Sequence, residues 1–209
     1  MLDLKKIAVT GSIASGKSTV CQFFKDLGAY LLSTDEIVHK LLSSSAQIIE
    51  ALTNLLGKDI VVDSSLDRAL IAKKVFANIE LLQCLENILH PEVKKRIEEE
   101  YLIYKNSTKK HSLFIVEIPL LFEYSNTAFL PFFDHTVSVS SDWEIRKKRF
   151  LQSTKYSEEQ FEQRDKRQIP QEEKNQQADF IIDNRGDLNK LKVATQELFH
   201  QLIHTKSRY

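Results

Sequence analysis

Gly11-Ser12-Ile13-Ala14-Ser15-Gly16-Lys17-Ser18-Thr19 fits the pattern G-x-x-x-x-G-K-[ST] of a phosphate-binding loop. The 209-residue chain holds only five glycines, and two of them stand in this stretch. Glycine lets a backbone approach a ligand closely or take a positive φ, so their placement points to phosphate on the loop. The flanks settle the context. Lys6-Ile7-Ala8-Val9-Thr10 reads as a short buried strand, and Ser18 to Leu27 reads as a helix with Val20, Phe23, Phe24 and Leu27 at helical spacing. Gly28 stops that helix, and Ala29 to Ser33 reads as a second strand. Strand, glycine loop, helix, strand is a βαβ unit, whose crossover implies a parallel sheet.

Outward from the loop, residues 36 to 57, Leu66 to Phe76 and Leu81 to Lys105 carry helix patterns, with no strong strand between 36 and 110. Further strands are predicted at Ser112 to Val116, Thr136 to Ser140 and Asp179 to Ile182. The polar stretch 142 to 176 reads as a solvated helical pair or a mobile lid, and Asp187 to His204 as an amphipathic helix. The fold class expected is α/β: a P-loop NTPase parallel sheet flanked by helices, with a helical substrate-binding insertion and a helical lid. The expected parts of this single domain are a core of 1–35, 110–140 and 177–209, an insertion of 36–109 and a lid of 141–176.

Composition narrows the function classes. Basic and acidic residues balance at 29 each, which argues against a general nucleic-acid or membrane-surface binder. No apolar run approaches a membrane span, and the first residues lack the apolar core of a signal peptide. Cys21 and Cys84 show no metal-ligand spacing. Two buried, reduced thiols in a cytoplasmic protein are expected.

The chemistry of the loop follows from its donors. Backbone N–H groups from Ser12 to Lys17 would surround a β-phosphate at a helix N-terminus. Lys17 would reach the β- and γ-oxygens of ATP, and the Ser18 hydroxyl would sit on Mg²⁺. Two carboxylates follow strands. Asp35 is either a base for an attacking hydroxyl or an N-cap for a helix starting at Glu36. Glu117 is either an acid that holds Mg²⁺ through water or a solvated strand end. Spacing alone leaves both choices open.

Taken together the residues resemble the dephospho-CoA kinase family. The likeness runs from Val9-Thr10-Gly11 through Thr34-Asp35-Glu36-Ile37-Val38-His39, Leu66-Asp67-Arg68-Ala69-Leu70 and His90-Pro91. It continues through Pro119-Leu120-Leu121-Phe122-Glu123, Gln168, Lys174, Ala178-Asp179 and Ile182-Asp183-Asn184. The loop is shared by many NTPases; its combination with His90-Pro91 and Pro119 to Glu123 is far more specific. The resemblance implies transfer of the ATP γ-phosphoryl group to the ribose 3′-hydroxyl of dephospho-CoA, by a monomer or small homo-oligomer. It makes Asp35 the base, with Lys17 and a lid arginine as catalytic groups. It places Gly11 to Thr19 and Asn184 at the nucleotide, Asn184 near the adenine. Thr10, Asp35, His90, Pro119, Leu120, Leu121 and Glu123 fall on the acceptor side, with Glu123 anchoring the turn or facing solvent. Ser18 and Glu117 would serve the metal.

Several positions depart from the family pattern. Ser12 and Ala14 replace glycines, and Ser12 requires a negative φ. Glu117 stands where Asp is usual. Arg149 matches a family arginine, but Ser153 replaces the arginine four residues on, and Arg146 stands where Gln is common. Arg149 with Arg146 or Lys155 is therefore expected to supply charge to the transferring phosphoryl group. Rival readings are another nucleotide or small-metabolite kinase, a GTPase-type switch, or an ATP-binding protein without transfer activity. Asp183-Asn184-Arg185-Gly186 matches D-x-x-G, but Asn189-Lys190-Leu191-Lys192 misses the guanine signature at its last position.

Overall fold

The structure, a computed structural model, describes residues 4–62, 65–76, 78–108, 111–123 and 127–205. The outermost edges of the expected core, and parts of the expected insertion near 63, 77 and 109, lie outside the described residues. The chain divides into two compact units, Met1–Leu32 with Ile103–Tyr209, and Ser33–Leu102.

The first unit is built on a sheet of β1 (Lys5–Thr10), β2 (Tyr30–Ser33), β5 (Leu113–Glu117), β6 (His135–Ser140) and β7 (Phe180–Asp183), in the order β2-β5-β1-β6-β7. β1 runs parallel to both β5 and β6, and β6 runs parallel to β7. The strand that neighbours β1 on its β2 side is thus one that follows it by about a hundred residues, not β2 itself. A central parallel strand is covered on both faces, and β1 is buried along almost its whole length.

One face of this sheet is apolar. Ile7, Val9, Leu113, Ile115, Val137, Val139 and Ile182 pack with Val20, Cys21 and Phe24 of α1 (Lys17–Asp26). Leu191, Leu198, Phe199 and Leu202 of α9 (Leu188–His204) complete this core at helical spacing. Gly28 ends α1 with φ 96°. Its N–H donates to Lys25 O at 2.9 Å and the Ala29 N–H donates to Phe24 O at 3.0 Å, a Schellman pair that turns the chain into β2. Asp187 caps α9 by accepting from the Lys190 N–H at 2.9 Å. At the other end of α9, the buried Lys5 ammonium of β1 donates to Leu202 O and Ile203 O, both at 2.7 Å, and to Thr205 O. Burial pushes the Lys5 ammonium below its ordinary value, with Asp134 pulling it partly back.

The opposite face of β6 is polar although buried. Alternation along Thr136-Val137-Ser138-Val139-Ser140 sends the hydroxyls away from the apolar core. Ser138 bonds Asn175 and Gln171 at 2.8 and 3.0 Å, and Ser140 accepts from Asn175 at 3.1 Å. These partners belong to α8 (Gln171–Gln177). The stretch read as a solvated pair is three helices: α6 (Trp143–Ser153), α7 (Glu158–Asp165) and α8. It has its own aromatic core of Phe150 and Phe161, with Trp143 edge-on to Phe161 at 5.6 Å. Asp179, just before β7, accepts from the Thr136 N–H at 2.8 Å.

In the second unit, α2 (Thr34–Ser44) starts two residues earlier than an Asp35 cap would require. Ser33 holds the N-cap position and Asp35 lies in the first turn, so the N-cap reading of Asp35 is set aside. α3 (Ala46–Leu56) follows, with Ser45 accepting from the Ile48 N–H at 3.4 Å. The expected single helix over 36 to 57 is thus two. A short antiparallel pair, β3 (Val61–Val62) and β4 (Ser65–Leu66), leads into α4 (Arg68–Phe76) and α5 (Ile79–Lys105). Asp67 caps α4, accepting from the N–H groups of Ala69 and Leu70 at 2.9 and 3.0 Å. His90 does not end a helix: α5 continues through Pro91.

The expectation of two buried thiols holds for Cys21 and fails for Cys84, which is exposed on α5. Burial, with Glu117 adding to it and Lys17 opposing it, pushes the Cys21 thiol well above its ordinary 9.0. The folded state therefore holds this proton more tightly than the unfolded chain. The thiol's contribution to stability is complete below pH 9 and is lost as the pH rises toward the elevated folded value. At pH 9 the native protein is expected to take up one equivalent of iodoacetamide, at Cys84, and a second only after denaturation. Mass spectrometry of the intact and unfolded protein checks this.

Candidate active site

The glycine loop connects β1 to α1, and its conformation explains its sequence. Gly11 has φ 147° and lies so close to β6 that a Cβ there would stand 2.4 Å from Val139 O. Gly16 has φ 99°, and a Cβ there would stand 2.2 Å from Asn184 Nδ2. No other residue type fits either place. Ser12 is not among the positive-φ residues, so serine is accommodated, whereas Ala14 sits at φ 57°. An L-residue held left-handed costs about 1–2 kcal/mol, which is why glycine suits that position.

The loop carbonyls take donors from several directions. Lys17 Nζ donates to Gly11 O at 2.8 Å and Ser12 O at 3.0 Å. Asn184, at the end of β7, donates from Nδ2 to Ser15 O at 2.7 Å. Its own N–H donates to Ser140 O at 2.7 Å. It is 5% exposed, so this side chain serves as a brace under the loop. Arg149 of α6 donates to Asn184 O at 3.0 Å, Asn184 Oδ1 at 3.3 Å and Ser141 Oγ at 3.3 Å.

Beside the loop lies a cavity of about 560 Å³ lined by Ala14, Gly16, Lys17, Ser18, Thr19, Arg149, Gln152 and Ser153. Loop, helix start and the Arg149 side chain of α6 are thus brought together on one concave surface. Arg146 is only 5% exposed and is held elsewhere, pairing with Asp165 and donating to Ile13 O at 3.4 Å. Its charge is met by Asp165 of α7. Lys155 is exposed in the connection between α6 and α7.

The strand register brings Glu117 to the loop. Val9 of β1 faces Glu117 of β5, and the Ser18 hydroxyl donates to Glu117 Oε1 at 2.7 Å. Ser18 and Glu117 are therefore adjacent oxygen donors at the helix start. Hard oxygen ligands in this number suit Mg²⁺, which keeps waters and phosphate oxygens in its remaining positions. Among the described residues no group of three or more His, Cys, Asp or Glu forms a self-sufficient metal cage.

The chain then turns at Pro119–Phe122. The Ile118 N–H donates to Val9 O at 2.9 Å and the Thr10 hydroxyl donates to Pro119 O at 3.2 Å, which pins the turn to the end of β1. Thr10 and Leu121 have no exposed surface and hold the turn from beneath, while Pro119 and Leu120 are half-buried. Glu123 does not face solvent. It pairs with Lys174 of α8 at 2.7 Å, and the Lys174 side chain is fully buried. Burial pushes the Lys174 ammonium below its ordinary value, opposed chiefly by the Glu123 carboxylate. Asp35 and His90 belong to the second unit, at the start of α2 and within α5.

Sequence reasoning missed the work of Gln168, Gln171 and Asn175. Gln171 Oε1 accepts from the Ser12 N–H and Gln168 Oε1 from the Ile13 N–H, both at 3.0 Å. The expectation that every amide from Ser12 to Lys17 faces phosphate is corrected accordingly, since Ser15 N–H also donates internally to Ser12 O at 3.1 Å. The available signal was the hydroxyl alternation of β6, which demands buried polar partners.

A parallel sheet whose first strand runs through a glycine loop into a helix, with a Ser–Glu oxygen pair at the helix start, defines a P-loop kinase. The family model for dephospho-CoA kinase matches residues 5–190. The chain belongs to the dephospho-CoA kinase family. A dephospho-CoA kinase of Protochlamydia amoebophila is 43% identical over 97% of this chain and 98% of its own. Among solved structures, TT1252 from Thermus thermophilus is 32% identical with a TM-score of 0.80, covering 96% of this chain and 98% of its own. The dephospho-CoA kinase from Campylobacter jejuni is 32% identical with a TM-score of 0.69, covering 94% and 96%.

Two outcomes follow from this geometry. Lys174→Met leaves a carboxylate buried without its countercharge and is expected to cost about 3–5 kcal/mol. Lys174→Met combined with Glu123→Leu should cost less than Lys174→Met alone, as urea unfolding will read. Ala14→Gly relieves the left-handed strain, partly offset by the entropy of an unfolded glycine. Its net effect is a melting temperature about 1–3 °C higher in a thermal scan.

Proposed function

We propose that this chain transfers the γ-phosphoryl group of ATP to the ribose 3′-hydroxyl of dephospho-CoA, giving coenzyme A and ADP, the final step of coenzyme A synthesis. The observation that carries this reading is the family match over residues 5–190. It is supported by a donor cradle built of Gly11, Gly16, Lys17 and Ser18.

Phosphoryl transfer asks the protein mainly for positioning and for charge around the equatorial oxygens. In this reading the α1 N-terminus and Lys17 hold the β- and γ-phosphates, and Arg149 contributes positive charge from α6. When bound, Mg²⁺ neutralises charge on the β- and γ-oxygens. Ser18 and Glu117 are the residues that would hold it. Asp35 accepts the proton of the attacking hydroxyl, and the turn from Pro119 to Leu121 holds the acceptor nucleotide, with Glu123 fixing the turn from inside. His90 contacts the acceptor from α5, and Asn184 supports the donor site from beneath the loop. The segment 141–176 closes over ATP and excludes water that would otherwise take the phosphoryl group. We place the activity in the cytoplasm, consistent with the absence, among the described residues, of any helix long and apolar enough to cross a membrane.

Purified protein with Mg-ATP and dephospho-CoA is expected to produce coenzyme A, read directly by mass spectrometry. A panel of nucleoside, nucleotide and small-alcohol acceptors should be phosphorylated far more slowly. Faster transfer to another acceptor, or ATP binding without any product, would overturn the reading. Asp35→Asn is expected to bind both substrates while kcat falls by about 10²–10⁴. Arg149→Ala should lower kcat far more than it weakens ATP. Near-normal turnover in either variant removes that residue from its role.

A further inference from the structure

The peptide groups in the first half of the glycine loop are engaged from outside the loop. The Ser12 N–H is held by Gln171 and the Ile13 N–H by Gln168, while Ile13 O accepts from Arg146. Lys17 holds Gly11 O and Ser12 O. These partners stand on the connection from α7 to α8 and on α8, α6 and α1. The residue that follows, Ala14, is kept at φ 57°. A non-glycine residue keeps such a conformation only where its surroundings over-determine it.

Gln171 is itself fixed at both ends of its amide. Its Oε1 takes the Ser12 N–H, and its Nε2 donates to Ser138 Oγ at 3.0 Å and Asn175 Oδ1 at 2.9 Å. It is 6% exposed, and Ser12 is 2% exposed. The anchor runs from the buried face of β6 to the loop. Gln168 lies three residues earlier across Pro170, and its N–H donates to Asp165 O at 3.0 Å. Asp165 is the partner of Arg146. The N–H and the carbonyl of Ile13 are therefore gripped by one connected cluster.

We propose that Gln168 and Gln171 are positioning residues of the nucleotide site. By holding the Ile13 and Ser12 amides, they maintain the left-handed turn at Ala14. The amides of Ala14 and Gly16 then border a preformed nest for the phosphates. An acceptor oxygen on residue 168 is thus part of what makes the loop bind a β-phosphate. This rests on ATP being the donor, and it goes beyond that reading by assigning the shape of the loop to residues that touch no phosphate.

The test measures ADP affinity by titration calorimetry, which needs no acceptor and stands whether or not dephospho-CoA is the substrate. Steady-state constants are measured alongside. Gln168→Leu, similar in size but without the acceptor, is expected to weaken ADP and raise the KM for ATP about tenfold, the order of one lost hydrogen bond. The KM for dephospho-CoA and kcat at saturating ATP should stay within about twofold. Gln168→Asn keeps the amide but withdraws it from Ile13, and should behave like the leucine variant. It also provides the comparison if leucine prevents folding. Gln171→Leu should act in the same direction with an added loss of melting temperature, because Ser138 and Asn175 lose their donor. The proposal is overturned if ADP affinity in the Gln168 variants is unchanged, whatever the melting temperature does. It is equally overturned if the constants for ATP and dephospho-CoA rise together.

Discussion

The close approach of the Asn184 amide to the backbone at Gly16 is the constraint on which this site depends. Nδ2 would stand 2.2 Å from a Cβ at Gly16 and donates to Ser15 O at 2.7 Å. That single side chain joins the end of β7, the glycine loop and, through Arg149, helix α6. A buried amide must satisfy its donors and acceptor or incur a cost of about 1–3 kcal/mol. Here both ends are satisfied by groups that also define the nucleotide site. The loop is therefore shaped before any phosphate arrives, and binding does not have to supply the energy of ordering it.

The sheet of the first unit serves two purposes through its two faces. Toward α1 and α9 it presents valine, leucine and isoleucine, and that face is an ordinary apolar core. Toward α8 it presents the hydroxyls of β6, bonded to Gln171 and Asn175. A buried polar face gains little net stability but is directional, so it fixes where a neighbouring helix sits. Helix α8 uses that position to hold the loop at one end and the turn after β5 at the other, through Lys174 and Glu123.

Much of this was legible in the residues. The loop, β1, α1, the Gly28 turn and the strand endings announce themselves because local chemistry alone specifies them. Glu117 could be suspected from its place after an apolar strand. Its pairing with Ser18 depends on β5 inserting next to β1, a long-range register that no local pattern encodes. The segment from 142 to 176 misled for a different reason. Its density of Lys, Arg, Glu and Gln reads as solvated, yet Arg146, Gln171 and Lys174 are buried, each beside a partner distant in sequence. Composition reports the average fate of a residue type, and these three are exceptions. Spacing leaves Asp35 open between a base and a cap, and the cap alternative falls because the helix begins one residue before it, with Ser33 at the cap position.

Lys5 stands in the first strand, and its ammonium closes off the carbonyls at the end of α9, the last helix described. Its strand neighbours, β5 and β6, lie more than a hundred residues further along the chain. During synthesis, therefore, β1 and α1 emerge long before the strands that flank β1 and the helix α9 that completes its core. At roughly 5–20 residues per second the wait is on the order of 10–40 s. Through that interval the glycine loop is a nascent chain without its braces, since Gln168, Gln171 and Asn184 have yet to leave the ribosome. The donor site is thus completed only well after its signature has been translated.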